Sequence, residues 1–263
     1  MARVAAVAAA LLLASCASGR NRLAQWQRSP NFNQREPILI VLHYTAGQSA
    51  AQSLHTLKTR NSGGPVSVHY LIGRDGRLYQ LVRDDKRAWH AGGGRWGAIT
   101  DVNSVSIGIE LDNTGYEPFP DVQIDQLIVL LNDLTARLHI PRTQVIGHED
   151  LAPGRKIDPG PLFPWQRLHD AGFGLWPDAN AGAPPPGFDG WLAMEALGYD
   201  LSDRAGALRS FHHHFRGMQS EGAELDPEDL RILYALTRPP PQVPAGPAPA
   251  SPLPQSAAPA SAQ

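Results

Sequence analysis

The sequence predicts an α/β fold, in which helices flank a central mixed β-sheet and a small three-helix domain follows toward the C-terminus. Residues 37–42 form a continuous apolar run, which is typical of a strand covered on both faces. In residues 104–111 apolar side chains alternate with small or polar ones, which indicates a strand with one face in the core. In residues 121–139 leucine and isoleucine recur at helical spacing, which predicts a long packing helix.

Shorter elements occupy the intervals between these three. Residues 49–60 predict an amphipathic helix. Residues 66–72 and 77–82 are strand-like runs on either side of an Arg-Asp-Gly turn, which indicates a β-hairpin. A helix predicted at residues 164–171 closes this part of the chain, which we place at residues 36–178.

Residues 147–160, with the sequence GHEDLAPGRKIDPG, follow a short predicted strand at residues 144–146. Two Pro-Gly pairs exclude a regular helix, so turn chemistry fixes the shape of this segment. His148 and Asp158 offer a nitrogen and an oxygen of the kinds that zinc accepts, although such a pair in a loop is by itself a weak signal. In an extended segment Lys156 shares a face with Asp158, which suits an ammonium beside a substrate oxygen.

This segment resembles the C-terminal signature of the zinc N-acetylmuramoyl-L-alanine amidases of the type 2 amidase, or peptidoglycan-recognition, superfamily. Four earlier segments resemble other motifs of that family in the same order: LHYTA at residues 42–46, SVHYLI at 67–72, AWHAG at 88–92 and SVSIGIEL at 104–111. The resemblance covers about residues 36–175, and the ordered matches make it specific. It implies the peptidoglycan-recognition fold and an amide hydrolase.

The resemblance also implies roles for individual residues. His43, His148 and Asp158 are the expected ligands of Zn²⁺, with a fourth position open for water. Glu110 is the expected acid–base group, and Lys156 the expected group that stabilises the oxyanion. The expected substrate is peptidoglycan or a muropeptide, cut at the amide between N-acetylmuramic acid, or its anhydro form, and L-alanine. No substrate-binding residue is assigned.

Several residues keep more than one interpretation. Where family members carry a small residue after the first signature histidine, this chain carries Glu149, whose effect stays open. His69 is slightly more consistent with a buried polar residue of the core than with a residue that contacts a metal ligand. Trp89 and His90 precede three glycines at residues 92–94, a loop that fits the border of a substrate groove. The glycines have no P-loop lysine, so a phosphate site is disfavoured.

The start of the chain predicts a membrane anchor. Residues 1–15 combine a basic start with an apolar stretch too short to span a bilayer, which is typical of a signal peptide. Cys16 is the only cysteine and follows Leu-Ala-Ser, which resembles the bacterial lipobox. We therefore expect a lipid anchor on Cys16 in the outer membrane, facing the periplasm, although a signal peptide that merely contains a cysteine is the alternative. Residues 16–35 predict a tether.

The C-terminal part of the chain predicts a second domain. Residues 179–187 are rich in Pro, Gly and Ala and indicate a linker. Residues 188–238 predict three short helices with caps at Ser202 and Asp226, and they resemble the peptidoglycan-binding module of lipoprotein amidases of this family. Residues 239–263 are rich in proline and alanine and predict disorder.

Three consecutive histidines, residues 212–214, lie on the second of these helices. Consecutive helical residues point about 100° apart, so these side chains do not chelate one ion together. We interpret them as exposed flanks of a helix that packs through Phe211 and Phe215.

Two function classes remain beside the hydrolase. One is a recognition protein on the same scaffold that binds wall fragments without cutting them. Relatives of that kind lack a zinc ligand, whereas this chain has all three together with Glu110 and Lys156. The other is a structural lipoprotein that tethers the wall. A nucleic-acid binder is disfavoured, because the formal net charge is −2 and basic runs are absent from the sequence.

Overall fold

The computed structural model describes residues 20–34, 36–61 and 64–238. The strands are β1 (Gln25–Trp26), β2 (Asn33–Gln34), β3 (Leu39–Tyr44), β4 (Arg60–Asn61), β5 (Gly64–Pro65), β6 (Tyr70–Ile72), β7 (Leu78–Gln80), β8 (Lys86–Arg87), β9 (Ser106–Leu111) and β10 (Val145–Gly147). The helices are α1 (Ala50–Lys58), α2 (Val102–Val105), α3 (Asp121–Leu138), α4 (His148–Leu151), α5 (Trp165–Asp170), α6 (Gly190–Leu197), α7 (Arg204–Arg216) and α8 (Pro227–Thr237).

Six strands form a mixed sheet in the order β1-β7-β6-β9-β3-β10, which confirms the predicted central sheet. β6, β9, β3 and β10 run parallel to one another, whereas β6 and β7 form the predicted antiparallel hairpin. Residues 39–42 of β3 are fully buried, because both faces of the sheet are covered at this position. β9 begins at Ser106 rather than at residue 104, because the preceding residues form the helical turn α2.

Helix α3 packs its apolar face against the sheet, as its leucine spacing predicts. Leu127, Leu131 and Leu134 are fully buried in one cluster with Ile107 and Ile109 of β9. This packing fixes β9, and with it the strand end that carries Glu110.

Residues 20–34, which the sequence predicts as part of a tether over residues 16–35, instead pack against the sheet. β1 pairs in parallel with β7. The backbone N–H of Asn21 donates to Oε1 of Gln80 at 2.9 Å, and Ser29 is buried. Hydrogen bonds rather than an apolar stripe hold this segment, so a hydropathy pattern does not reveal it.

Helices α6, α7 and α8 form the predicted C-terminal domain around an apolar core of their own, in which Phe211 and Phe215 pack as predicted. Asp226 caps α8, also as predicted. Asp203 rather than Ser202 caps α7, because its carboxylate accepts a backbone N–H of the first turn at 2.9 Å.

The histidines at residues 212–214 are buried, so the prediction that they lie on exposed flanks is wrong. The reason is that α7 lies between α8 and the catalytic domain. His212 contacts Asp229 of α8, with Nε2 and Oδ1 at 2.8 Å. The ring of His214 stacks on that of Trp165 of α5, with centroids 3.7 Å apart.

The predicted signal peptide at residues 1–15, the predicted lipidation site Cys16 and the predicted disordered tail at residues 239–263 lie outside the described residues. The predicted linker at residues 179–187 contains neither helix nor strand. None of the helices in the described ranges is both long and apolar enough to cross a bilayer.

Truncation of Leu131 to alanine should lower the free energy of unfolding by about 3 kcal/mol, because it leaves a cavity between α3 and the sheet. The matched change Val129→Ala, at a position on the same helix that is 48 % exposed, should alter it by less than about 0.5 kcal/mol. Urea denaturation followed by circular dichroism measures both values. Equal losses in the two variants would contradict the described packing of α3.

Candidate active site

The C-terminal ends of three parallel strands meet at one edge of the sheet, a position where α/β proteins commonly bind ligands. His43 lies near the end of β3, and Glu110 of β9 is its partner in the strand register. α4 begins with His148 directly after β10. A cleft of about 480 Å³ is lined by these residues together with Lys156 and Asp158. The structure therefore brings all five predicted residues together.

Three of these side chains converge on one point. Nδ1 of His43 lies 2.9 Å from Nδ1 of His148 and 3.1 Å from Oδ2 of Asp158. Nδ1 of His148 lies 3.0 Å from the same carboxylate oxygen. All three residues are buried, and their ligand atoms are close enough to share one metal ion.

A hydrogen bond to the backbone fixes the proton of His148. Its Nε2 lies 2.9 Å from the carbonyl oxygen of Ala91, and a carbonyl oxygen only accepts, so Nε2 carries the hydrogen. In the neutral ring Nδ1 then has a lone pair, which faces Asp158. Arg155 donates to the same carbonyl at 2.8 Å and so holds this backbone segment in place.

A chain of hydrogen bonds fixes the proton of His43 in the same way. The hydroxyl of Ser106 donates to the carbonyl of Val102 at 2.6 Å, so its oxygen accepts from Nε2 of His90 at 3.2 Å. Neutral His90 then accepts at Nδ1 from Nε2 of His43, at 3.0 Å. Nδ1 of His43 is left with a lone pair. Burial, reinforced by the neighbouring His148, lowers the pKa of His43 to about 4 and keeps the ring neutral.

With the histidine rings neutral, two imidazole lone pairs and a carboxylate oxygen face one another within 3.1 Å. Acceptors buried together in this way are unfavourable unless a cation binds among them. Two imidazole nitrogens and one carboxylate oxygen are also a donor set of catalytic zinc sites, which keep a fourth position open. The residues present thus fit a zinc ion.

Glu110 borders the cleft beside this cluster. Within the described part of the chain, its enclosed Oε2 has no hydrogen-bond partner. Loss of solvation raises the pKa of Glu110 to about 8, the charge of Asp158 adds to this effect, and the charge of Lys156 opposes it. A carboxyl group with a pKa close to neutral is suited to take up and return a proton.

Because Gly108 has no side chain, the ring of His90 can pack against β9 at this position. A Cβ on Gly108 would lie 2.5 Å from that ring. The face of β9 that carries the small side chains before Glu110 is therefore partly covered by a histidine ring. His69 accepts the N–H of Gly108 at 3.0 Å and donates to the carbonyl of Lys86 at 2.9 Å, so it supports the strands.

Sequence reasoning found the five cleft residues but gave His90 no role. The motif AWHAG, which contains His90, was the available signal. The rings of His90 and His43 are in contact although the two residues lie 47 positions apart in sequence. No local sequence pattern indicates that Nδ1 of His90 contacts Nε2 of His43.

Comparisons with known proteins agree with this geometry. A family model described as N-acetylmuramoyl-L-alanine amidase matches residues 33–161. N-acetylmuramoyl-L-alanine amidase AmiD of Escherichia coli K12 is 38% identical, and the match covers 88% of this chain and 95% of AmiD. The 1,6-anhydro-N-acetylmuramyl-L-alanine amidase AmpD of Enterobacter cloacae is 43% identical over 40% of this chain and 56% of its own length.

Solved structures extend the similarity to the fold. AmiD of E. coli, in a complex with anhydro-N-acetylmuramic acid-L-Ala-D-gamma-Glu-L-Lys, has a TM-score of 0.67 and 36% identity, and covers 80% of this chain and 91% of its own. AmpDh3 of Pseudomonas aeruginosa has a TM-score of 0.68 and 32% identity, and covers 82% of this chain and 96% of its own. Since the match to AmiD runs over nearly the whole length of both proteins, the chain belongs to the N-acetylmuramoyl-L-alanine amidase family.

Proposed function

We propose that this chain is a zinc-dependent N-acetylmuramoyl-L-alanine amidase in which His43, His148 and Asp158 bind the metal. The observation that supports this best is the convergence of three possible ligand atoms, from His43, His148 and Asp158, next to the enclosed carboxyl group of Glu110. The bond cleaved is the amide between N-acetylmuramic acid, or its anhydro form, and L-alanine of the stem peptide.

The residues of the cleft divide the chemistry among them. A zinc ion held by the three ligands would supply a Lewis acid that lowers the pKa of water toward about 7 and polarises the scissile carbonyl. Glu110 takes the proton of the attacking water and returns it to the leaving amine. Lys156 lines the cleft, and its ammonium stabilises the oxyanion of the tetrahedral intermediate. Hydrolysis releases a free stem peptide and the muramic acid sugar.

The proposed substrate class is a muropeptide, and the proposed process is cell-wall turnover or recycling. Support comes from E. coli AmiD, whose structure holds an anhydromuramyl tripeptide described as its substrate, and from AmpDh3 in complex with an anhydromuramic pentapeptide. The cleft, at about 480 Å³, has the volume of an ordinary small-ligand site.

The purified protein should release free stem peptide from an anhydromuramyl tripeptide, and the release should stop with a chelator and return with Zn²⁺, because the three ligands hold an exchangeable metal. Mass spectrometry of the products measures this. A preparation that binds the muropeptide but leaves it intact in the presence of Zn²⁺ would instead indicate a recognition protein.

The change Glu110→Gln should leave zinc content at the wild-type value and reduce hydrolysis roughly 10²–10⁴-fold, because it removes only the proton acceptor. Asp158→Ala should lose both zinc and activity, because it removes a ligand. Elemental analysis and the product assay measure the two effects, with Glu224→Gln at an exposed position as the control. Full zinc occupancy in Asp158→Ala would remove this residue from the ligand set.

We also propose that the mature protein is lipidated at Cys16 and anchored in the outer membrane, facing the periplasm. The support is the single cysteine behind an apolar segment and a lipobox-like Leu-Ala-Ser. Cys16→Ser should therefore move the protein from the membrane fraction to the soluble fraction without loss of amidase activity in vitro. Fractionation with immunoblotting measures the distribution, and a variant that stays with the membrane contradicts the anchor.

A further inference from the structure

Glu149 connects the two segments that carry His148 and Asp158. It follows His148 in α4, and its backbone N–H donates to the carbonyl oxygen of Asp158 at 2.9 Å. Its Oε1 accepts the N–H of Gly160 at 2.9 Å. One residue thus makes two hydrogen bonds across the gap between the segments, one on each side of Pro159.

A third contact of Glu149 reaches the helical domain. Its Oε2 lies 2.6 Å from Nδ1 of His213 on α7, and both side chains are almost completely buried. Its carbonyl oxygen accepts the hydroxyl of Ser210, one turn earlier on the same helix, at 2.9 Å. Nε2 of His213 lies 2.9 Å from Oε1 of Gln219, an acceptor, so Nε2 carries a hydrogen.

The next residue pair repeats this arrangement. Oδ2 of Asp150 lies 2.8 Å from Nδ1 of His214 and accepts the N–H of Gly147 at 2.7 Å. Its Oδ1 accepts the hydroxyl of Tyr199, which lies between α6 and α7, at 2.7 Å. Two adjacent acids of α4 therefore meet two adjacent histidines of α7.

The backbones of the two parts also approach closely. A Cβ on Gly206, in the first turn of α7, would overlap the backbone nitrogen of Gly154. Gly154 lies in the loop between His148 and Asp158. The helical domain is therefore packed directly on the loop that carries the proposed ligands.

We infer that Glu149 is a positioning residue for the metal site and that His213 of the helical domain completes its contacts, so that this domain helps to hold His148 and Asp158 in their ligating arrangement. The inference rests on the proposed zinc site. Groups hydrogen-bonded to the segments behind metal ligands orient those ligands and tune metal affinity. Loss of His213 leaves the buried Glu149 without one of its partners, and the carboxyl group must then move or draw in water.

The neighbouring histidine supplies a matched control. His212 is also buried on α7, but its contacts, Ser220 at 2.6 Å and Asp229 at 2.8 Å, lie within the helical domain. His212→Asn and His213→Asn therefore remove the same chemical group from adjacent positions of one helix. Only the second change removes a contact with the metal-ligand loop.

The test is the Zn²⁺ dissociation constant of the full-length protein, measured by competition with a chromogenic chelator, together with thermal unfolding of the metal-free protein. His213→Asn should weaken zinc binding about 10-fold, whereas His212→Asn should lower the melting temperature of the helical domain and leave zinc affinity unchanged. Equal zinc affinities in the two variants would overturn the inference. Absence of zinc binding by the wild-type protein would overturn the proposed metal site itself.

Variants of Glu149 address the same point if His213→Asn does not fold. Glu149→Gln keeps an acceptor for Gly160 and gains an N–H that can donate to Nδ1 of His213, so it should bind zinc nearly as the wild type does. Glu149→Ala loses both contacts and should bind zinc about 10-fold more weakly. Wild-type affinity in Glu149→Ala would show that the contacts join the domains without positioning the ligands.

Discussion

Two imidazole nitrogens and a carboxylate oxygen held within about 3 Å of one another are the constraint around which this molecule is built. Neutral nitrogens and a carboxylate oxygen do not attract one another, so the protein must hold them together against their tendency to separate or to take up protons. These atoms are held together by the parallel strands, by the hydrogen bonds of the two histidines and by the hydrogen bonds of the loop that carries Asp158. A bound cation turns the same arrangement into a favourable one, which couples metal binding to the stability of the site.

Each donor is held by contacts that lie behind it. His43 is fixed by its strand and, at the opposite ring nitrogen, by His90, whose own orientation depends on Ser106. His148 is fixed by the carbonyl of Ala91. In both rings the nitrogen remote from the cleft donates a hydrogen bond, which leaves Nδ1 without a proton. The tautomer needed for metal binding is thus determined by backbone carbonyls and a hydroxyl rather than by the metal.

Local sequence patterns predicted the parts of the fold that depend on local chemistry. The apolar run of β3, the turn of the β6–β7 hairpin and the leucine spacing of α3 each follow from hydrophobic periodicity or turn preference. The five cleft residues were recognised through family motifs, because spacing alone leaves a loop histidine and aspartate ambiguous. Hydrophobic periodicity indicates which face of an element is buried, and in these elements the buried face is apolar.

The two larger errors, in residues 20–34 and in the histidines of α7, share one physical origin, which is that polar groups become buried by pairing with partners distant in sequence. Residues 20–34 were predicted to be part of a tether because a segment that binds a sheet edge through hydrogen bonds needs no hydrophobic pattern. The histidines of α7 were predicted to be exposed because no local sequence pattern indicates that they pair with acidic side chains. Glu149 lies 64 residues from His213, so neither residue indicates the other.

This last pairing changes how the second domain should be regarded. A buried carboxyl group is tolerated only when its hydrogen bonds are made, so Glu149 in this loop depends on the helix that carries His213 for one of its partners. The same carboxyl group accepts from Gly160, two residues after Asp158. The loop between His148 and Asp158 and the helical domain are therefore joined through the side chain of Glu149, and the geometry of the proposed metal ligands depends on both parts of the chain.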